Sequence, residues 1–599
     1  MDDTVTFLAS SPIFQSLPPE QIEEIAPLFR CESHPAGTII LHQGGHSQAV
    51  YFIRSGRLAA RIRRGDSRET VAYLQPPDIF GELSFITGRA CVCDVEVDVD
   101  AEVLLLPKEA MAKLPKQREG ILRSLMAVIA GRLQQTVTQG AKTAELPVVL
   151  LRNHPHWEAP HSFAAELASS LARQTGRETL LANLGADEEG GIRSFDDRTS
   201  SCDVPAQVRD SNCRSQIAQR LSVWKSKFEN VILNPVGPDG MALAEIAEPL
   251  VNWQGDLLGP GDPIPSETGP FRFVLQNAVS PTLPTLSGCQ QLVSEVSESE
   301  SAYRAGRPVS PRFRRTVDSM ARCIAGLQVG LALGGGAAWG WAHIGVLSVL
   351  EGAGLPIDMV SGCSMGSVIG ALRCAGVTGT QLEEIANYWK TRTRRFIEWR
   401  LWRMSLLNER RVRATFRQYF GDRSVNQTEI PYWANAVDIK TGKEFTIQSG
   451  SLVDCVRASI ALPGLISPFT SNSHLLVDAG IMDPVPVRLV RRMGCHFAIG
   501  INAMAALESQ EINARYPFNA FDIMTRCMFV MGHEIGQARA EQSADVVFTP
   551  ALGDITMLQF SRSQEIIDCG RRAAEEHLPA ILASYDRLKT RSSSERSQP

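Results

Sequence analysis

Hydrophobic and polar positions change their period several times along the chain. Residues 1–140 open with an amphipathic helical stretch, Pro19 to Phe29. The short alternating runs GTIILHQGG, AVYFIRSGRLAARI and EVLLLP follow, punctuated by glycine turns. Period-two runs of this kind predict strands, and a helical pattern from Lys108 to Val137 closes a small β-roll. From 145 to 285 the text alternates PVVLL, SFAAELASSLARQTG, TLLANLG and VILNPVG, strand with helix, as an open parallel sheet requires. The Ser/Glu-rich stretch 286–312 reads as a linker. Residues 313–580 form a third α/β region, and 581–599, ending RSSSERSQP, read as a disordered tail. The expected fold class is multidomain α/β.

Composition narrows this picture. At 599 residues the chain is too long for one core. With 44% hydrophobic residues, 21% charged residues and a formal net charge of -5, it has no basic field that would point to nucleic acid. The thirteen cysteines are scattered; Cys91 and Cys93 have no second pair at zinc-ligand spacing, so no metal site is expected and a reducing compartment is. The N-terminal MDDTVTFLASSPIF has neither a basic lead nor a cleavable apolar core. Leu327–Leu350 is apolar, but a Gly-Gly-Gly run interrupts it, so it reads as strand, loop and helix rather than a membrane span. The expected location is cytoplasmic. The 145–285 region is Rossmann-like, yet its first turn, RNHPHWEAP, has no phosphate-binding glycine pattern, so a structural or docking role fits it better.

Three chemical elements follow in order within 313–580. VGLALGGGAAWGWAHIGVL runs from strand through glycine loop to helix start. Backbone N–H groups there can hold an anion, and without a following Lys-Ser/Thr an oxyanion hole from Gly335, Gly336 and Ala337 is preferred to a phosphate loop. IDMVSGCSMGSVIGAL places Ser364 between Gly362 and Gly366 at a strand-to-helix junction, the setting of a nucleophile elbow. HLLVDAGIMDPVPV delivers Asp478 into the Ala479–Gly480 turn, free to act as general base. His496 and His533 follow the aspartate, so a Ser-Asp-His triad stays open beside a Ser-Asp dyad.

These residues resemble the patatin-like phospholipases, and the layout resembles bacterial relatives of neuropathy target esterase. The resemblance covers roughly residues 312–580 and includes VRASIALPGLISPF and ADVVFTPALGDITMLQF. It implies a serine lipid acyl hydrolase acting on a phospholipid or lysophospholipid, with Ser364 as nucleophile, Asp478 as base and no required cofactor. The loop departs from the family's G-x-G-x-x-G at Ala337 and from its basic residue at Trp339. An alanine still donates its N–H if φ stays negative. The alternative is a weakly active or inactive regulatory scaffold that retains the fold.

PDIFGELSFITGRACVCDVEV resembles the phosphate cassette of cyclic-nucleotide-binding domains. The resemblance implies contacts from Gly81, Glu82 and Leu83. The family's phosphate-pairing arginine falls at Cys91, with Arg89 two residues earlier, so binding of a cyclic nucleotide is expected to be weak or absent. Lys390–Met404 combines six basic residues with Phe396, Trp399 and Trp402, a composition that suits peripheral contact with an anionic inner membrane surface.

Overall fold

The computed structural model describes residues 3–112, 148–153, 161–258, 272–275, 290–390, 409–504 and 520–594, save short stretches inside those ranges. The basic stretch 391–404 and most of Lys108–Val137 lie outside the described residues. The chain divides into two compact units, 1–152 with 177–254, and 153–176 with 255–599.

In the first unit the long strand Ala49–Arg64 pairs antiparallel with Asp94–Pro107, and shorter strands complete a β-roll. Phe14, Phe29 and Phe52 meet at ring-centroid distances of 5.5 to 5.7 Å, and bury the amphipathic N-terminal helices against it. The same unit holds the parallel strands Val148–Asn153, Asn230–Pro235, Thr179–Ala186 and Thr199–Pro205, with Gly190–Asp196 antiparallel at the edge. The helices Cys213–Lys225 and Gly237–Ala247 alternate with these strands, whereas the expected first helix, His161–Thr175, belongs to the second unit.

The second unit contains the helix His161–Thr175, which packs on Pro311–Ala325. Arg173 bridges Glu166 and Asp318 between them. Two expectations change here. The stretch read as a linker carries the strand Gln290–Val293 and the helix Val296–Arg304, with Val296 and Ser299 buried. The stretch read as a tail continues the helix Ser563–Ser594, where Ile581 and Tyr585 are buried. Polar composition hid both, because each helix needs only one apolar stripe to be held by a partner distant in sequence.

The C-terminal sheet runs Phe469–Ser471, His474–Asp478, Tyr432–Asp438, Met359–Gly362, Val329–Leu333, Phe497–Ile501, Val546–Phe548. The last five are parallel to one another. Alternate residues of the central strands enter opposite cores: Val329, Leu331 and Leu333 join one cluster, Ala332 and Ala498 the other. Burial on both faces explains why these strands read as unbroken apolar runs. The helix Ala342–Gly352 lies against Ser563–Ser594 through reciprocal glycines. A Cβ on Gly345 would sit 2.1 Å from the Ile567 carbonyl oxygen, and one on Gly570 would sit 2.0 Å from that of Ala342.

Candidate active site

The strand Met359–Gly362 turns through Cys363 and Ser364 into the helix Met365–Cys374. Ser364 holds φ 50° and ψ -124°, a strained conformation that costs on the order of 1–3 kcal/mol. Hydrogen bonds hold it there. The Ser364 N–H donates to Ser459 Oγ at 3.1 Å, the Ser367 hydroxyl donates to the Ser364 carbonyl at 2.6 Å, and the Cys363 N–H donates to the Leu333 carbonyl at 3.0 Å. The flanking glycines are steric necessities. A Cβ on Gly366 would lie 2.1 Å from the Leu333 oxygen, and one on Gly362 would lie 2.5 Å from Ser367 Cα.

The glycine loop lies against the serine, since a Cβ built on Gly335 would be 3.2 Å from that of Ser364. Its peptide planes are clamped. The Gly334 carbonyl accepts from His343 Nε2 at 2.8 Å, while the Gly335 N–H donates to the Pro484 carbonyl at 2.9 Å. Complete burial holds the His343 pKa down at about 4, so a neutral ring makes that bond. The Gly335 amide, expected in the oxyanion hole, is therefore engaged elsewhere. The amides of Gly336 and Ala337 have no acceptor among the described residues, whereas those of Ala338 and Trp339 donate to Met557 and Gly336. Ala337 has φ 49°, not the negative value expected, so the loop keeps a glycine's conformation on an alanine at about 1–2 kcal/mol. Trp339 takes the place of the family's basic residue as a buried neutral wall. Its Nε1–H donates to the Ile555 carbonyl at 2.8 Å, and its ring meets Phe529 edge-on.

The strand His474–Asp478 runs antiparallel to Tyr432–Asp438, so Asp478 lies opposite Ala436, while Gly362 lies opposite Ala434. That register brings the carboxylate of Asp478 level with the elbow. Oδ1 accepts the Gly480 N–H at 2.8 Å and the Cys363 thiol at 3.7 Å. Oδ2 is buried and has no hydrogen bond of ordinary geometry. Burial pushes the Asp478 pKa up to about 6, opposed by the Ser364 hydroxyl, the Gly480 amide and the Cys363 thiol. The methyl of Met504 would lie 3.4 Å from a Cβ built on either Gly335 or Gly480, so it packs between the glycine loop and the aspartate turn. Of the two candidate histidines, His533 directs Nδ1 to the Met504 carbonyl at 2.9 Å and His496 lies beside Gly326.

Sequence reasoning missed four contributors: Cys363, Ser459, Met504 and Asp483. The last is buried with an unpartnered Oδ2, its pKa pushed up to about 7 by burial and by Glu444, against Arg488 and Arg539. Its position five residues beyond Asp478 was the available signal.

In the β-roll, Gly81 has φ 80° and opens the short helix Glu82–Thr87. Glu82 is buried, while Leu83 and Arg89 are exposed. Cys91 is tied by its backbone to Gly44 and Gly45, at 2.8 and 2.7 Å, and packs against the core of the roll.

The patatin-like phospholipase model matches residues 331–491, and the cyclic nucleotide-binding domain model matches 31–118. The human patatin-like phospholipase domain-containing protein 6 is 25% identical over 521 residues, covering 78% of this chain and 37% of that protein. An uncharacterised NTE family protein of Mycobacterium tuberculosis is 36% identical over 179 residues, covering 29% of this chain and 49% of that one. Lysophospholipase NTE1 of Cryptococcus neoformans is 23% identical over 623 residues, covering 91% and 38%. The chain spans less than half the length of each of these curated relatives.

Proposed function

We propose that this chain, which carries a patatin-like phospholipase domain and a cyclic nucleotide-binding domain, is a serine lipid acyl hydrolase working through a Ser364–Asp478 dyad. The observation that carries the reading is the division of labour on Asp478: Oδ1 is held by the Gly480 amide, and Oδ2 is left open in a buried site beside Ser364. A carboxylate with its pKa raised to about 6 is a better base than one in water and is still ionised at neutral pH.

In the reaction, Ser364 Oγ attacks the ester carbonyl as its proton passes to Asp478 Oδ2. The oxyanion that forms is met by the N–H groups of Gly336 and Ala337. The tetrahedral intermediate collapses, the leaving alcohol takes the proton, and an acyl-serine remains. Asp478 then draws a proton from water as that water attacks the acyl carbon; when this second intermediate collapses, Asp478 returns the proton to Ser364 Oγ, the carboxylic acid leaves and the serine is free again.

A phospholipid or lysophospholipid is the substrate class that the names of the relatives support. Contact with a membrane surface is proposed to be peripheral: among the described residues no helix is long and apolar enough to cross a bilayer. The N-terminal domain is proposed to bind cyclic nucleotides weakly or not at all, because Cys91 cannot neutralise a cyclic phosphate.

The test is chemical. A fluorophosphonate probe should label the purified chain once, at Ser364, and short-chain p-nitrophenyl esters should be hydrolysed with kcat/KM falling as pH drops through about 6. Hydrolysis without labelling at Ser364 would overturn the assignment.

A further inference from the structure

The geometry points to Cys363 as a positioning residue for the catalytic base: its thiol donates to Oδ1 of Asp478 and so reserves Oδ2 for the Ser364 proton. The inference rests on the Ser364–Asp478 reading and adds a residue to it. Cys363 occupies the variable position immediately before the nucleophile, and nothing in the G-x-S-x-G spacing demands a hydrogen-bonding side chain there.

Three observations converge on it. The Cys363 side chain is fully buried, with Sγ 3.7 Å from Asp478 Oδ1, within the range of a weak S–H donor. The Gly480 N–H donates to that same oxygen at 2.8 Å, so both donors fall on one side of the carboxylate. The other oxygen, also buried, has no partner of ordinary geometry. A carboxylate with both oxygens equally solvated could rotate or share its charge. This one is pinned at Oδ1, which sets the direction in which Oδ2 faces.

The thiol must stay protonated to do this. Burial raises the Cys363 pKa well above its usual value, reinforced by Asp478, Asp483 and Glu444. The groups facing Asp478 are thus Cys363 and Ser364 from the elbow and Gly480 from its own turn, while Asp483 and Glu444 act on the thiol. During the reaction the Cys363 proton is not transferred. It remains on sulfur while the Ser364 proton moves to Oδ2 and back.

A donor to Oδ1 stabilises the ionised base, so its removal should raise the Asp478 pKa. Cys363→Ala should move the acid limb of kcat/KM upward by roughly half a unit to one unit. It should also lower kcat several-fold, because the carboxylate loses its orientation. Cys363→Ser restores a donor. Its acid limb should return to the wild-type position or lie below it, with kcat recovered in part.

The experiment is the pH dependence of p-nitrophenyl ester hydrolysis for wild type, Cys363→Ala and Cys363→Ser, with rates referred to the fraction of Ser364 that a fluorophosphonate labels. The separation of the two variants along the pH axis is the supporting result. Identical acid limbs in Ala and Ser would overturn the inference, since a purely packing role predicts that. If Cys363→Ala does not fold, Cys363→Ser alone decides, and an acid limb displaced upward in it overturns the inference. Failure of the dyad itself gives a different signature: Ser364→Ala would keep its activity whatever happens at Cys363.

Discussion

The β-roll and the sheet that leads into Ser364 each carry a motif that resembles a family's with a substitution at a sensitive place, and the two substitutions differ in kind. On the proposed reading, the glycine loop acts through backbone N–H groups. Ala337 replaces a glycine, yet its amide has no acceptor among the described residues, and the cost is a φ of 49°. On the same reading, the cassette acts through a side-chain charge, and Cys91 offers none. A function carried by the main chain survives a change of side chain at the price of strain, whereas a function carried by a guanidinium is lost with it.

The largest effect should come from the dyad. Ser364→Ala and Asp478→Asn should each lower ester hydrolysis by about 10³-fold or more, with thermal unfolding close to that of wild type. His496→Ala and His533→Ala should stay within a few-fold; near-complete loss in either would restore the triad.

Next in size is the cassette. Calorimetry on the full chain should find cAMP and cGMP binding weak or undetectable, and Cys91→Arg should strengthen it by several-fold up to about a thousandfold. A submicromolar dissociation constant in the wild type would break the contrast drawn between the two motifs.

Asp483 offers a smaller effect on stability. Burial pushes its folded pKa up to about 7, well above the usual carboxylate range. Its favourable contribution is therefore present below about pH 4 and is lost as pH rises through 7. Asp483→Asn should thus stabilise the chain by roughly 1–3 kcal/mol at pH 8 and hardly at all at pH 4, as read from denaturant unfolding at the two pH values. The smallest effect is at the loop. Ala337→Gly should relieve the positive φ and add about 0.5–1 kcal/mol of stability while retaining hydrolysis. A loss of activity there would mean the alanine methyl has a role in the site.

What was legible in the sequence was local. Gly362, Ser364 and Gly366 declare the elbow because the collisions that forbid a Cβ occur within one strand–turn–helix unit and its neighbouring strand. Asp478 was legible from its turn. The clamp on Gly335 was not, because its acceptor is Pro484, and the bond from Cys363 spans 115 residues. The sign of φ at Ala337 follows from a loop fixed at both ends, not from the alanine itself. The helix Ser563–Ser594 had a signal that its charged surface masked: Leu578, Ile581, Leu582, Tyr585 and Leu588 recur at helical spacing and pack on the main core.

The reciprocal contact of Gly345 and Gly570 ties that last helix to the one that leaves the glycine loop. Two backbones this close leave no room for water or for side chains to slide. The amides of Ala342–Gly352 and of the facing turns of Ser563–Ser594 should therefore exchange with deuterium as one cooperative block, opening together or not at all. A large residue at either glycine would act as a wedge more than 200 residues away in sequence, and its effect would travel along Ala342–Gly352 to His343 and the peptide plane that it clamps at Gly334.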